Sequence, residues 1–157
     1  MEDWSDWVSI SDPKDLKKSF AFHGVYMIRC VDASGDPIPI GRLVATDEQG
    51  VLYIGRSGLP SKSPQRTVAH RLNEFSKYRH SGGKTYFLAS ISMEREESFP
   101  DYSLQARGRH FLEEDIERGE DHELTQYLMR HGELPPCNSK MPAVKAALYG
   151  KKPRWSA

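Results

Sequence analysis

Apolar residues come as short β-branched and aromatic runs early in the chain and at helical spacing further on. GVYMIRCV (residues 24–31) has the composition of a strand, and the turn chemistry of DASGDP follows it. PIPIGRLV (37–44) reads as an edge strand, because its prolines cannot donate to a ladder. DEQG (47–50) is a turn, and VLYIG (51–55) is a short apolar strand suited to the middle of a sheet. After the polar loop RSGLPSKSPQ, with Ser63-Pro64 as a helix start, TVAHRLNEFSKY (67–78) sets Val68, Leu72 and Phe75 at helical spacing and leaves Arg71 beside that stripe. HSGG (80–83) offers αL-permissive glycines to end this helix, and TYFLASISM (85–93) reads as a further strand. SLQARGRHFLEEDIERG (103–119) is expected to be a helix stopped by its last glycine, and residues 121–131 a second one before GELPP.

The order β, β, β, α, β, α, α belongs to the α+β class. A chain of 157 residues builds one domain with arms. Residues 1–20 read as an N-terminal arm whose Trp4 and Trp7 dock on the core, 21–138 as the domain, and 139–157 as a basic C-terminal tail.

Composition narrows the class. No apolar run is long enough to cross a bilayer and the acidic start MEDWSDW lacks a signal-peptide core, so a cytoplasmic protein without a membrane partner is expected. Cys30 and Cys137 are isolated, and the histidines at 23, 70, 80, 110, 122 and 131 form no ligand-spaced pair, which argues against structural zinc or a disulfide framework. Formal net charge is zero, but it is unevenly spread: residues 56–84 hold seven Lys/Arg against Glu74, whereas residues 94–123 hold eleven Asp/Glu against four Arg. One basic face and one acidic face follow, and the basic one (Arg56, Lys62, Arg66, Lys77, Arg79, Lys84) suits a phosphate track.

Within this frame Gly24-Val25-Tyr26 opens one strand and Tyr53-Ile54-Gly55 closes another. Arg71 follows on a helix, Glu123 on a later helix, and Asn138 after Pro135-Pro136. This order resembles the GIY-YIG nuclease family over residues 24–138, with valine in place of the isoleucine of the first tripeptide. Taken singly, each residue has an ordinary structural reading; the joint order carries the resemblance.

The resemblance implies a small antiparallel three-stranded sheet flanked by helices, here with an extra edge strand or hairpin. It also implies a metal-dependent endonuclease that hydrolyses DNA phosphodiester bonds with one Mg²⁺ or Mn²⁺. In that reading Glu123 holds the metal, Arg71 clamps the phosphate, Tyr26 and Tyr53 assist the attacking water, and Asn138 ties the site together. A tyrosine acting as base would need its pKa lowered by neighbouring cations. Cutting both strands would call for a homodimer.

Three departures mark this chain. Glu113 or Glu114 could replace Glu123, whereas Glu117 and Glu120 rank lower because they flank Gly119. Phe75 stands where many members carry a proton-exchanging residue, with His80, Tyr78 and His70 as substitutes. Residues 32–50 form a long insertion, for which a structural role is favoured because Arg42 is its only cation. The alternative reading is a catalytically inactive nucleic-acid or protein-binding module on the same fold.

Overall fold

A computed structural model describes residues 3–142. The chain is α+β, with the order β1 (Val8–Ser9), α1 (Pro13–Phe20), β2 (Gly24–Asp32), β3 (Val51–Arg56), α2 (Val68–Ser76), α3 (Ser81–Arg95), β4 (Tyr102–His110) and α4 (Glu113–His131). The strands form one antiparallel sheet in the order β1-β4-β2-β3. β2 is central, in register with β4 from Gly24↔His110 to Asp32↔Tyr102 and with β3 from Val25↔Arg56 to Arg29↔Val51.

Both faces of β2 are covered, which explains its unbroken apolar sequence. Tyr26, Ile28 and Cys30 face a core shared with Leu16 and Phe20 of α1, Leu72 and Phe75 of α2 and Tyr86 of α3. Val25 and Met27 face the other way, toward Leu124 and Tyr127 of α4 and toward Trp4 and Trp7. The N-terminal residues are thus integral to the domain: β1 extends the sheet, Leu16 and Phe20 are buried, and Arg107 stacks on both Trp4 and Trp7 at 4.8 Å.

Two segments exchange the roles expected of them. Residues 85–93 lie in helix α3, because the His80 side chain caps its start by accepting from the Gly82 and Gly83 amides at 3.1 and 3.4 Å. The HSGG segment therefore starts a helix instead of ending one. Residues 103–110 form β4, whose alternation puts Leu104, Ala106 and Gly108 against one face and Gln105, Arg107 and Arg109 on the other. The acidic segment behind it is a single helix, α4, which runs through Gly119 because that glycine lies against the Phe111 ring: an added Cβ would stand 2.9 Å from it.

The insertion at 32–50 adds no strand to the sheet beyond isolated bridges at Val31↔Pro37 and Ile40↔Asp47. It is tied to α4 and β3 instead. The buried Asp47 carboxylate accepts from the amides of Gln49 and Val51 and from the Tyr127 hydroxyl, each at 2.9 Å, and Val44 N donates to His131 O at 2.9 Å. Among the described residues no helix is long and apolar enough to cross a membrane.

Candidate active site

Tyr26 and Gly55 stand opposite each other on β2 and β3, and Tyr53 lies two residues before Gly55 on the same face. Their rings meet with centroids 6.0 Å apart. Glycine at 55 is required by this approach, since a Cβ there would lie 2.5 Å from Tyr53 Cε1 and 2.9 Å from the Tyr26 hydroxyl. Gly82, in the first turn of α3, closes over the other edge of Tyr53, where a Cβ would lie 2.6 Å from Cε2. The Tyr53 ring is therefore held between two glycines from distant parts of the chain.

Arg71 enters from α2 and donates to Glu74 Oε2 at 2.5 Å, and Glu74 also receives Arg66 at 3.3 Å. Burial works against the Glu74 carboxylate, but Arg71 and Arg66 hold its pKa below the ordinary value. Tyr26 is fully buried, and its hydroxyl makes no hydrogen bond of good geometry although it feels the charge of Arg71 and the Tyr53 oxygen. Burial pushes its pKa well above the usual phenol value, and Tyr53 is raised as well by burial and by the Glu120 charge, with Arg71 opposing. The expectation of tyrosines with lowered pKa is thus corrected for the unliganded protein: desolvation outweighs the single cation near them.

His80 borders the same cluster, its ring 5.4 Å from Tyr53 and 5.3 Å from Phe75. Because Nδ1 accepts backbone amides, the neutral ring carries its proton on Nε2, which is buried without a hydrogen-bond partner. Burial and then Arg71 lower its pKa to about 4, so it is uncharged at neutral pH. Phe75 is fully buried as a packing residue between Tyr53 and Tyr86.

The acid beside the tyrosines is Glu120. A cleft of about 280 Å³ is lined by Tyr53, Arg56, Arg66, Arg71, Glu120 and Lys140. A second of about 160 Å³ adds Ser81, Asp121 and Asn138 to Tyr53 and Glu120. α4 packs on the opposite sheet face, but β3 is an edge strand, and Glu120 reaches the cleft around that edge. Arg56 Nε approaches Glu120 Oε2 at 3.2 Å while its Nη2 donates to Glu117 Oε1 at 3.1 Å. Burial nevertheless raises the Glu120 pKa.

Glu123 lies elsewhere. One helical turn on from Glu120, it faces Arg109 at 3.9 Å and lines a separate cavity of about 490 Å³ with Phe111, Arg118 and His122. The Glu113 carboxylate accepts from both the amide and the hydroxyl of Ser61, and Glu114 is exposed. The structure therefore brings together Tyr26, Tyr53, Arg71, His80 and Asn138 and leaves Glu123 out. In sequence Glu120 ranks low because of its neighbour Gly119, and a helix that continues across that glycine is the feature that restores it.

Of the basic residues, Arg56 and Arg66 line the cleft and are paired with acids, whereas Lys62, Lys77, Arg79 and Lys84 are exposed. Lys140 joins the cleft from the C-terminal segment. The tail cations Lys145, Lys151, Lys152 and Arg154 lie outside the described residues. No family model, curated protein or solved structure matches the chain significantly.

Proposed function

We propose that the protein is a divalent-metal-dependent endonuclease of GIY-YIG type that hydrolyses DNA phosphodiester bonds, with Glu120 as its metal-binding acid. The observation that carries this reading is the convergence of Tyr53, Arg71 and Glu120 on one cleft, with Tyr26, His80 and Asn138 around it.

The donor set fits a hard cation such as Mg²⁺ or Mn²⁺. Glu120 offers a carboxylate whose Arg56 contact falls on Oε2 and leaves Oε1 outside the pair. Among the described residues no cluster of three or more His, Cys, Asp or Glu surrounds a point. A single carboxylate suits an ion that keeps most of its shell as water and substrate oxygens. When bound, such an ion would polarise the phosphate and stabilise developing negative charge.

The chain's own groups divide the remaining work. Arg71, which lines the cleft with Arg56, Arg66 and Lys140, would neutralise a non-bridging phosphate oxygen through its planar fork. His80, neutral, would donate from Nε2 to phosphate. Tyr53, lining both cavities, would orient the attacking water, and Tyr26 behind it would fix the Tyr53 hydroxyl.

The test is cleavage of plasmid or oligonucleotide DNA. Activity should need Mg²⁺ or Mn²⁺ and stop with EDTA. It should vanish in Glu120→Ala and persist in Glu123→Ala. A wild-type protein without metal-dependent product would end the nuclease reading, and the reverse pattern of the two variants would end the assignment of the acid.

A binding module without turnover is the second reading. It is favoured by the internal pairing of Arg71 with Glu74 and of Glu120 with Arg56, which leaves both key charges compensated. It predicts salt-dependent DNA binding without product.

A further inference from the structure

An unbroken series of aromatic contacts runs from the candidate site to the protein surface. Tyr53 meets Phe75 at 5.6 Å, Phe75 stacks on Tyr86 at 5.5 Å, and Tyr86 meets Tyr78 at 6.3 Å. Tyr78 then packs against Phe87 at 4.8 Å. These last two rings are 41% and 42% exposed, and Leu88 beside Phe87 is 67% exposed.

The corner holding Tyr78 is built at a cost. Its φ of 58° makes it the only non-glycine residue with positive φ among those described. Glycine or asparagine fills the left-handed region with least strain, and a bulky aromatic is disfavoured there. The corner is clamped by Gly83, where an added Cβ would stand 2.6 Å from Phe75 O and 3.2 Å from Tyr78 Cα. The fold thus presents a ring to solvent at a position where a smaller residue would serve the backbone better.

Charge identifies the occupant. Lys77 and Arg79 flank Tyr78 in the chain and Lys84 precedes Phe87 by about one turn of α3; all three are exposed, and none forms an ion pair with a described carboxylate. Half-exposed rings among uncompensated cations are how proteins hold unpaired nucleotides, with bases stacking on the aromatics and phosphates tracking the cations. The bases of a continuous duplex are already stacked on one another and offer no face to such rings.

We infer that the α2–α3 corner, with Tyr78 and Phe87 as stacking surfaces and Lys77, Arg79 and Lys84 as phosphate contacts, binds an unpaired DNA strand. His80 follows Arg79 directly and reaches the Tyr53 ring, so the corner is joined to the candidate site through the start of α3. As a statement of substrate class, DNA with a single-stranded or frayed segment at the cut, it rests on the nuclease reading; as a binding surface it is independent of turnover.

The test is fluorescence anisotropy with the full chain in EDTA, using a labelled single strand of ~15 nucleotides and the duplex of the same sequence. Wild type should bind the single strand more tightly than the duplex. Tyr78→Asn, which keeps a residue tolerant of the left-handed corner, combined with Phe87→Ala should weaken single-strand binding about tenfold or more and duplex binding by less than about twofold. Phe87→Ala alone, at an exposed helix position, should show part of the same selective loss and guards against misfolding of the double variant. Equal wild-type affinity for both DNAs, or equal loss on both in the variants, would overturn the proposal. So would sedimentation showing a second copy on this face, with the dimer lost in the variant. If single-strand binding behaves as stated but no metal-dependent cleavage exists, the nuclease reading falls and the binding surface stands.

Discussion

The Asn138 side chain pairs with the backbone of Ile54 as a neighbouring strand would: Oδ1 accepts from Ile54 N at 2.9 Å and Nδ2 donates to Ile54 O at 2.8 Å. Together with Cys137 N donating to Leu52 O at 2.8 Å, it closes the otherwise open edge of β3 beside Tyr53. Asn138→Ala should cost about 2 kcal/mol, because two backbone groups lose their partners. Asn138→Asp, which keeps the acceptor but sets a carboxylate oxygen against Ile54 O where the amide donated, should cost at least as much. Urea unfolding measures both; a change within about 0.5 kcal/mol for the alanine variant would show that water replaces the side chain without loss.

Gly82 gives a prediction of opposite sign to helix propensity. Alanine in the first turn of α3 would be expected to stabilise a helix by up to about 1 kcal/mol relative to glycine. In this fold it drives a methyl into the Tyr53 ring, so Gly82→Ala should lower the melting temperature, and Gly55→Ala should do so by a larger margin since it meets both tyrosines. In an active enzyme both should reduce kcat more than they raise KM. A Gly82→Ala protein with a raised melting temperature would mean that Tyr53 is free to move.

The hydrophobic pattern made two strands legible, though the apolar VLYIG run, expected in the middle of the sheet, lies at its edge and is covered by α4 and the segment around Asn138. β2 and β3 fall where their β-branched runs put them, Arg71 is on its helix, and the tripeptides stand side by side. Exchange of helix and strand at 85–93 and 103–110 has a tertiary cause. The apolar Phe87 and Leu88 suggest a strand locally, but they end exposed, and the segment is helical because His80 caps it and Gly82 and Gly83 pack against Tyr53 and the Tyr78 corner. Similarly, the alternation of Leu104, Ala106 and Gly108 with Gln105, Arg107 and Arg109 is the stronger signal than the glycine and acids behind it, which belong to the next element. That Glu120, and not Glu123, lines the cleft of Tyr53 and Arg71 has a reason no local pattern supplies: Gly119 serves the Phe111 contact and does not stop the helix.

His80 sets the acid limit. The fold lowers its pKa to about 4 from 6.5, so between those values the unfolded chain binds a proton that the folded one refuses. Its neutral form therefore contributes stability that is intact above about pH 6.5 and lost as pH falls toward about 4. The difference in melting temperature between wild type and His80→Asn, which keeps a capping acceptor without titrating, should narrow across that window. A difference independent of pH would mean that His80 titrates normally.

Tyr53 predicts the alkaline behaviour. Burial and Glu120 raise its pKa, so its phenolate is scarce at neutral pH, and a rate that depends on it should climb about tenfold per pH unit on the alkaline side. Tyr53→Phe should remove that rise and most of the activity. Tyr26→Phe, at a fully buried hydroxyl that lies behind the cleft lining and is not part of it, should lose less. Equal loss in both, with unchanged pH profiles, would place water activation on another group.

The most direct measurement is the position of Mn²⁺ in crystals of the full chain, located by its anomalous scattering. With Glu120 as the metal-binding acid, the ion stands on the order of 2.1 Å from a Glu120 carboxylate oxygen, in the cleft shared with Tyr53 and Arg71. An ion seated at Glu123 beside Arg109, or no ion at either carboxylate under conditions where DNA is cut, would contradict it.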